Sequence, residues 1–241
     1  MVDCEKCAHY EDNNYCEECE YYDRDLYDHY EEATAEMITK REEEARLRAE
    51  KEAINEWISV EISDKFRDVF TLAKKCTAEI HFRKVFLGVY ISPDGCLIAS
   101  DTRQIVEIPC EFIPEQLLGK CVVKIEENQA GIHTEKKFPP FKHLFDLEGE
   151  YWMAALNEIQ FSSPALSLNE VQYYNRLEIE PEMMSHMGFE TLFQKKYLDL
   201  MREVMKGNIV VNYIPEKPLN AVVFAGNNAK MIIMPLRRSM D

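Results

Sequence analysis

Four cysteines near the N-terminus, Cys4, Cys7, Cys16 and Cys19, form two Cys-x2-Cys pairs eight residues apart. Each pair offers two thiolates that can turn onto one tetrahedral ion, the arrangement zinc takes with sulfur ligands. The segment is short and acidic and has no apolar run to build a core, so bound metal would supply its folding energy. The expectation is one structural zinc on Cys4, Cys7, Cys16 and Cys19. The gap is shorter than in common zinc ribbons. Two alternatives stay open: four unmetallated surface thiols, or His9 in place of one thiolate. An iron–sulfur cluster fits less well. Cys76, Cys96, Cys110 and Cys121 lie in or near apolar stretches and read as ordinary core residues.

The remaining chemistry-bearing residues do not assemble into a catalytic pattern. The six histidines (9, 29, 81, 133, 143 and 186) show no metal-hydrolase spacing. Gly119-Lys120 is followed by Cys121 rather than Ser or Thr and lacks the upstream glycine of a phosphate loop. There is no GxGxxG and no GxSxG. Asp101 could act as an acid, but nothing converges on it in sequence, and a turn aspartate is the simpler role. The expectation is therefore a protein that is not an enzyme.

Charge narrows the partners. The chain of 241 residues has a formal net charge of −16. Residues 1–60 hold 19 acidic against 7 basic side chains, and residues 61–241 hold 25 against 21. Phosphates attract Lys and Arg, so such a chain meets nucleic acid only through a local basic surface. No run of 18 apolar residues is present, and the N-terminus lacks the apolar stretch of a secretory signal. The expected setting is the reducing cytoplasm, away from membranes.

Three regions must position these residues: 1–28, the cysteine-rich knuckle; 29–57, a charged helical linker without Gly or Pro; and 58–241, an α+β domain whose stretch 109–190 is divergent. The linker reads as a solvated helix with pairs such as Glu42 with Arg46 and Glu44 with Arg48, or less readily as a coiled coil. Residues Asp64–Cys76 place Phe66, Val69, Phe70 and Ala73 on one helical face. VFLGVYI (85–91), the turn Ser92-Pro93-Asp94-Gly95 and CLIAS (96–100) predict a hairpin. A second helix, Phe193–Met205, presents Phe193, Tyr197, Leu200, Met201 and Val204 on one face, with Gly207 as its C-cap. It is followed by NIVVNYI, NAVVFA and KMIIMPLRR as strands. A helix followed by antiparallel strands thus occurs twice, which predicts both helices on one side of a continuous sheet, related by a pseudo-twofold. Between the units, KCVVKIE, ALNEIQFSS, ALSLNEVQYY and RLEIEP read as strands.

Three segments carry a resemblance to a known family. In 85–109, the run Ser100-Asp101-Thr102-Arg103-Gln104-Ile105 resembles a Thr-Asp-Gly-His-Arg-Leu run; the Asp and the final aliphatic match, and the Gly and His do not. KFPPFKHLF (137–145) resembles a Phe-Pro-Asp-Tyr-Arg-Arg-Val segment. KMIIMPLRR (230–238) resembles a terminal Val-Met-Pro-Met-Arg-Leu. Together, and in this order, they resemble the bacterial DNA polymerase III β subunit, the sliding clamp, in a diverged form about half a clamp's length without a counterpart of its first domain.

The resemblance implies a DNA-clamp-like α+β fold, helices packed on antiparallel sheets. It implies a processivity factor that encircles or contacts double-stranded DNA without reading its sequence and docks client peptides from polymerases and other proteins. The matching groove residues are Ser100, Thr102, Arg103, Ile105, Pro139, His143, Leu144, Ile232, Met234, Pro235, Leu236 and Arg237. The other reading of Ile232, Met234 and Leu236 is a buried terminal strand. The helices would face DNA with Lys65, Arg67, Lys74 and Lys75 on the first and Lys195, Lys196, Arg202 and Lys206 on the second. A solvated mixed-charge face stays open beside this, because Asp68, Asp199 and Glu203 are interleaved. A homo-oligomeric ring with twelve lumen helices would need about six copies, at two helices each, by the family inference. The rival functions are a non-ring adaptor that captures clamp clients and a zinc-dependent regulatory protein.

Overall fold

The computed structural model describes residues 35–135, 137–145, 150–155, 159–186, 189–213 and 221–236. Two compact units divide the chain, Met1–Arg48 and Ala49–Asp241. The cysteines of the expected zinc site, and Arg237, lie outside the described residues.

Helix α1 spans Ala35–Ala53, within the stretch whose composition favours helix. In the second unit its last turn is packed: Ala49 and Ala53 are buried with Leu87 and Val123. The helix does not continue to Trp57. The Asn55 backbone N–H donates to the Ile132 carbonyl (2.9 Å), and its side-chain oxygen accepts from the Thr134 N–H (3.1 Å). These bonds turn the chain into strand β1 (Glu56–Ser59), paired with β6 (Gln129–His133).

Helix α2 (Asp64–Lys74) starts at Ser63, whose hydroxyl accepts from the Phe66 N–H, a standard N-cap. Phe66, Phe70 and Ala73 are buried on the predicted face, while Val69 is half-buried. The hairpin follows as β2 (Val89–Ile91) and β3 (Cys96–Ser100), with Gly95 at φ +84° in its turn. Its first strand is shorter than the alternation suggested. Lys84–Leu87 coil into a 3-10 turn with Val85, Phe86 and Leu87 all buried. Gly88 then brings the backbone so close to Cys121 that a Cβ there would sit 2.6 Å from its sulfur. Strands β4 (Gln104–Pro109), β5 (Cys121–Glu126) and β6 complete this half.

The middle region departs from the all-strand expectation. Strand β7 (Glu150–Ala155) is followed by β8 (Gln160–Ser162). Residues 165–174, read as a strand, instead lead into and form most of helix α3 (Leu168–Arg176). A capping box explains it: the Ser167 hydroxyl takes the Glu170 N–H, and the Glu170 carboxylate reaches back to Ser167. RLEIEP (176–181) is no strand of its own: it runs from the last residue of that helix through a turn at Leu177 and Glu178 into β9 (Pro181–His186), which is followed by β10 (Phe189–Gln194). Helix α4 is Lys195–Val204, so Phe193 belongs to β10. Leu198 is buried on α4 and Leu200 only partly. Gly207, at φ +75°, supplies the left-handed turn after it. Strands β11 (Asn208–Tyr213), β12 (Val222–Gly226) and β13 (Lys230–Ile233) follow.

Ten strands form one sheet in the order β1-β6-β5-β2-β3-β4-β13-β12-β11-β7, and β10-β9-β8 form a second. The two helix-plus-three-strand units, α2-β2-β3-β4 and α4-β11-β12-β13, meet edge to edge through the antiparallel β4–β13 pair. That is the expected pseudo-twofold. Strand alternation sorts the side chains into two layers. Val89, Leu97, Ala99, Val106, Val211, Phe224, Met231 and Ile233 join Phe66 and Phe70 of α2 and Leu198 and Met201 of α4 in one core. Both helices therefore cover the same face. Ile98, Ile105, Val223 and Ile232 point to the opposite face and are covered by Phe141.

Candidate functional site

That opposite face holds an apolar pocket of about 260 Å³. Ile105 and Ile232, neighbours across the β4–β13 pair, lie on its floor side. Phe138, Pro139, Pro140, Phe141 and Leu144 form one wall with Phe86. Ser100, Thr102, Arg103 and Met234 line the pocket beside them. Small-molecule pockets usually exceed about 300 Å³, so this one suits one or two side chains rather than a whole ligand.

The first wall is an aromatic array. Phe138 stacks on Tyr90 (5.4 Å between ring centroids) and meets Phe86 (5.9 Å) and Phe141 (6.2 Å) edge-on. The prolines at 139 and 140 keep the backbone extended, and an ion pair between Lys142 and Asp94 ties this segment to the β2–β3 turn.

The part of the lining from Ser100 to Gln104 is a tight turn. Thr102 has φ +77°, a left-handed conformation that costs a β-branched residue roughly 1–3 kcal/mol. Glycine stands at this position in the run that the segment resembles, and the backbone shows why glycine suits it. Side chains hold the turn. The Ser100 hydroxyl donates to the Gln104 carbonyl (2.7 Å) and accepts from the Thr102 N–H (3.0 Å). Asp101 Oδ1 accepts from the Arg103 and Gln104 N–H groups, both at 3.0 Å. Its Oδ2 accepts from the Tyr197 hydroxyl at 2.8 Å. Asp101 is thus a turn residue, as its sequence context suggested. Burial, with Asp101 alongside, pushes the Tyr197 phenol well above its ordinary range, so it stays a donor.

The structure brings together Ser100, Thr102, Arg103, Ile105, Pro139, Leu144, Ile232 and Met234 of the groove read from sequence. His143 does not line the pocket and is exposed. Pro235 and Leu236 do not line it either. Met234 extends the pairing of β13 by donating its N–H to Arg103 (2.9 Å), Pro235 has no N–H to give, and the Leu236 N–H crosses to Leu192 of β10 (2.7 Å). Phe86, Phe138, Pro140, Phe141, Gln104 and Ala221 complete the lining. Phe138 and Phe141 were visible as aromatics inside the 137–145 segment. Gln104 is in register with Ile233, which turns its side chain to the helix face and leaves its backbone to the pocket.

The candidate DNA-facing cations are largely engaged within the protein. Lys74 is not an exposed helix residue: its ammonium donates to the Leu87 (2.6 Å) and Val123 (2.8 Å) carbonyls and pairs with Glu50 (2.9 Å). Lys75 pairs with Glu203, joining α2 to α4. Lys195 pairs with Glu180 (2.7 Å), and Arg202 with Glu182 (3.0 Å) and Asp199 (2.5 Å). Arg67 donates to the Glu127 carbonyl (2.7 Å). Lys65 lies over the Phe112 ring and Lys196 over that of Tyr197. Lys206 is exposed. Among the described residues no cluster of three or more His, Cys, Asp or Glu is placed to hold a metal ion, and no helix is long and apolar enough to cross a membrane.

No protein-family model matches this sequence, and no curated protein matches it. Solved structures of bacterial clamps do. The DNA polymerase III β subunit of Borrelia burgdorferi, in complex with a natural product, aligns with a TM-score of 0.50 at 11% identity, over 78% of this chain and 66% of that one. The sliding clamp of Bacillus subtilis aligns at 0.49 and 12%, over 77% and 66%. The Helicobacter pylori β clamp bound to DNA ligase peptide aligns at 0.46 and 10%, over 75% and 65%. The aligned part spans about two thirds of those chains rather than the half expected. At such identities the likeness is one of fold: helices packed on antiparallel sheets in the arrangement of a clamp.

Proposed function

We propose that this protein is a sliding-clamp-like docking platform, whose pocket takes the apolar anchors of a short client peptide. One observation carries the reading: three segments far apart in sequence, 100–105, 137–145 and 230–234, converge on a single apolar pocket. They are the segments whose residues resemble a clamp's client groove. Peptide recognition of this kind draws most of its affinity from a few buried anchors, and a methionine wall adapts to different ones. In the full clamp role, copies would assemble into a ring, with the helix face toward duplex DNA.

A second reading, a non-ring adaptor that binds clamp clients, draws support from the helix face. Lys74, Lys75, Lys195 and Arg202 already hold carboxylates, so phosphate contact there would compete with existing pairs. The knuckle cysteines Cys4, Cys7, Cys16 and Cys19 are proposed to carry one structural zinc in either case. The test is anisotropy titration of a fluorescein-labelled octapeptide with leucine and phenylalanine anchors, together with solution mass measured with and without duplex DNA. Saturable peptide binding supports docking, and none at high micromolar protein overturns it. A high-mass species that retains DNA favours the ring; a monomer or dimer indifferent to DNA favours the adaptor.

A further inference from the structure

The wall of the pocket that contains Thr102 is fastened from the other side of the sheet. Tyr197 belongs to the first turn of α4 and is 3% exposed. Its ring packs in the helix-side core with Leu198 and Met201, yet its hydroxyl reaches Asp101 in the pocket-forming turn. The positive charge of Arg103 also acts on the same phenol. Two consecutive backbone N–H groups hang on the other oxygen of Asp101. The Arg103 carbonyl in turn receives the Met234 N–H. One phenol therefore sits at the root of a chain of hydrogen bonds that ends on Arg103, Gln104 and Met234, three residues that line the pocket.

We propose that Tyr197 is the positioning residue of the docking pocket: its hydroxyl, through Asp101, holds the 100–104 turn in the left-handed form that shapes the wall. The inference rests on reading the pocket as a peptide-docking site and adds a residue that touches no peptide. A turn with a β-branched residue at positive φ relaxes unless its surroundings over-determine it. Here the determinants are the Ser100 hydroxyl, which is local, and the Asp101–Tyr197 bond, which is not. Removing the phenol oxygen leaves the ring and its packing in place. It deletes a hydrogen bond to a charged acceptor, a kind whose loss is large enough to matter.

The experiment compares wild type with Tyr197→Phe by titration of the labelled octapeptide and by amide hydrogen exchange. The Tyr197→Phe change should weaken the peptide roughly tenfold, as loss of a charge-assisted hydrogen bond does. The Arg103 and Gln104 amides should exchange about tenfold faster in the absence of peptide. Val204→Ala, a buried change on the same helix, should lower the unfolding midpoint and leave peptide affinity within about twofold. Asp101→Asn keeps an acceptor for the two N–H groups and a polar partner for the phenol, so it should bind better than Asp101→Ala. Unchanged exchange at 103 and 104 in Tyr197→Phe overturns the proposal, whether or not the peptide binds. Equal affinity in wild type and Tyr197→Phe also overturns it, and so does a loss in Val204→Ala matching that in Tyr197→Phe. If wild type binds no peptide, the docking reading falls, and the exchange result alone decides whether Tyr197 holds the turn.

Discussion

Truncating the two half-exposed residues that line the pocket from different segments should separate binding from stability. Met234 and Leu144 are each 43% exposed, and both line the cavity. Full burial of such a side chain is worth about 1.5–3 kcal/mol. A docked anchor would cover what each still exposes, so each should contribute about 1 kcal/mol to affinity, roughly fivefold in Kd. The two lie on separate segments, so their losses should add to roughly 25-fold in the double variant. The part already buried contributes to folding, so each change should also cost about 1–2 kcal/mol of stability, less than a core truncation because the site is open and leaves no sealed cavity. The Met234 N–H bond to Arg103 survives in Met234→Ala because it is made by the backbone. Anisotropy with the labelled octapeptide and urea denaturation measure the two quantities. A double variant that binds within about threefold of wild type would refute the assignment of these walls to the docking site.

Other outcomes follow from single features. At φ +77°, Thr102→Gly should be more stable than Thr102→Ala by about 1 kcal/mol; equal urea midpoints would contradict the left-handed turn. Lys74→Ala leaves two carbonyls and Glu50 without their cation and should destabilise by about 2–3 kcal/mol, whereas a loss under about 0.5 kcal/mol would mean an ordinary surface lysine. Burial pushes the Cys121 thiol from 9.0 up to about 12 and raises Cys76 in the same direction. The folded chain keeps protons that the unfolded chain sheds, so this stability is complete below pH 9 and declines between pH 9 and about 12. Unfolding midpoints that do not fall across that window, or that fall as steeply in Cys121→Ala, count against it. Elemental analysis should find about one zinc per chain, and full occupancy in a Cys4→Ser, Cys16→Ser double variant would remove the metal proposal.

Periodic features were legible in the sequence and non-local ones were not. The 3.6-residue spacing of Phe66, Phe70 and Ala73 gave α2, and Tyr197, Met201 and Val204 gave α4, because burial on a sheet imposes that period. The repeated order of helix and strands foretold the pseudo-twofold, which the β4–β13 pair completes. Residues 165–174 misled because their apolar content suits either period. The deciding signal was short: Ser167 with Glu170 three residues on, a capping box that outweighs β propensity. The Val85–Leu87 alternation misled differently: these residues coil into a 3-10 turn and are all buried, and Gly88 beside them lies against Cys121, a neighbour 33 residues away that no local pattern reports. At the pocket, residues carried over from matching segments were placed together where backbone pairing fixes them, as with Ile105 and Ile232. They scattered where the chain leaves the sheet, as with Leu236. Lys74 read as exposed because helical spacing says nothing of carbonyls on a neighbouring strand.

Of the three residues that could be groove wall or buried strand, Ile232 is buried and lines the pocket, Met234 lines it half-exposed, and Leu236 does neither. Met231 and Ile233 pair with Val106 and Gln104 and point to the helix side, while Ile232 pairs with Ile105 and points to the pocket. A slip of one residue in β13 would exchange the two sets and empty both layers together. The sheet side of the pocket is therefore secured by the same register that secures the core, while the 137–145 segment and the turn at 100–104 are held by contacts of their own. Pro235 ends this arrangement at the required place: pairing stops after Met234, and the chain leaves for β10 instead of extending the sheet across the cavity mouth. The helix side follows a different logic. The Lys75–Glu203 and Arg202–Glu182 pairs bind elements of the protein to one another, Asp199 holds Arg202 from within α4, and a phosphate arriving there must displace a carboxylate already in contact. The proposed docking thus has a preformed apolar pocket to use, whereas any DNA contact has to be won against internal pairs. This asymmetry is why the peptide pocket, rather than the helix face, carries the functional reading.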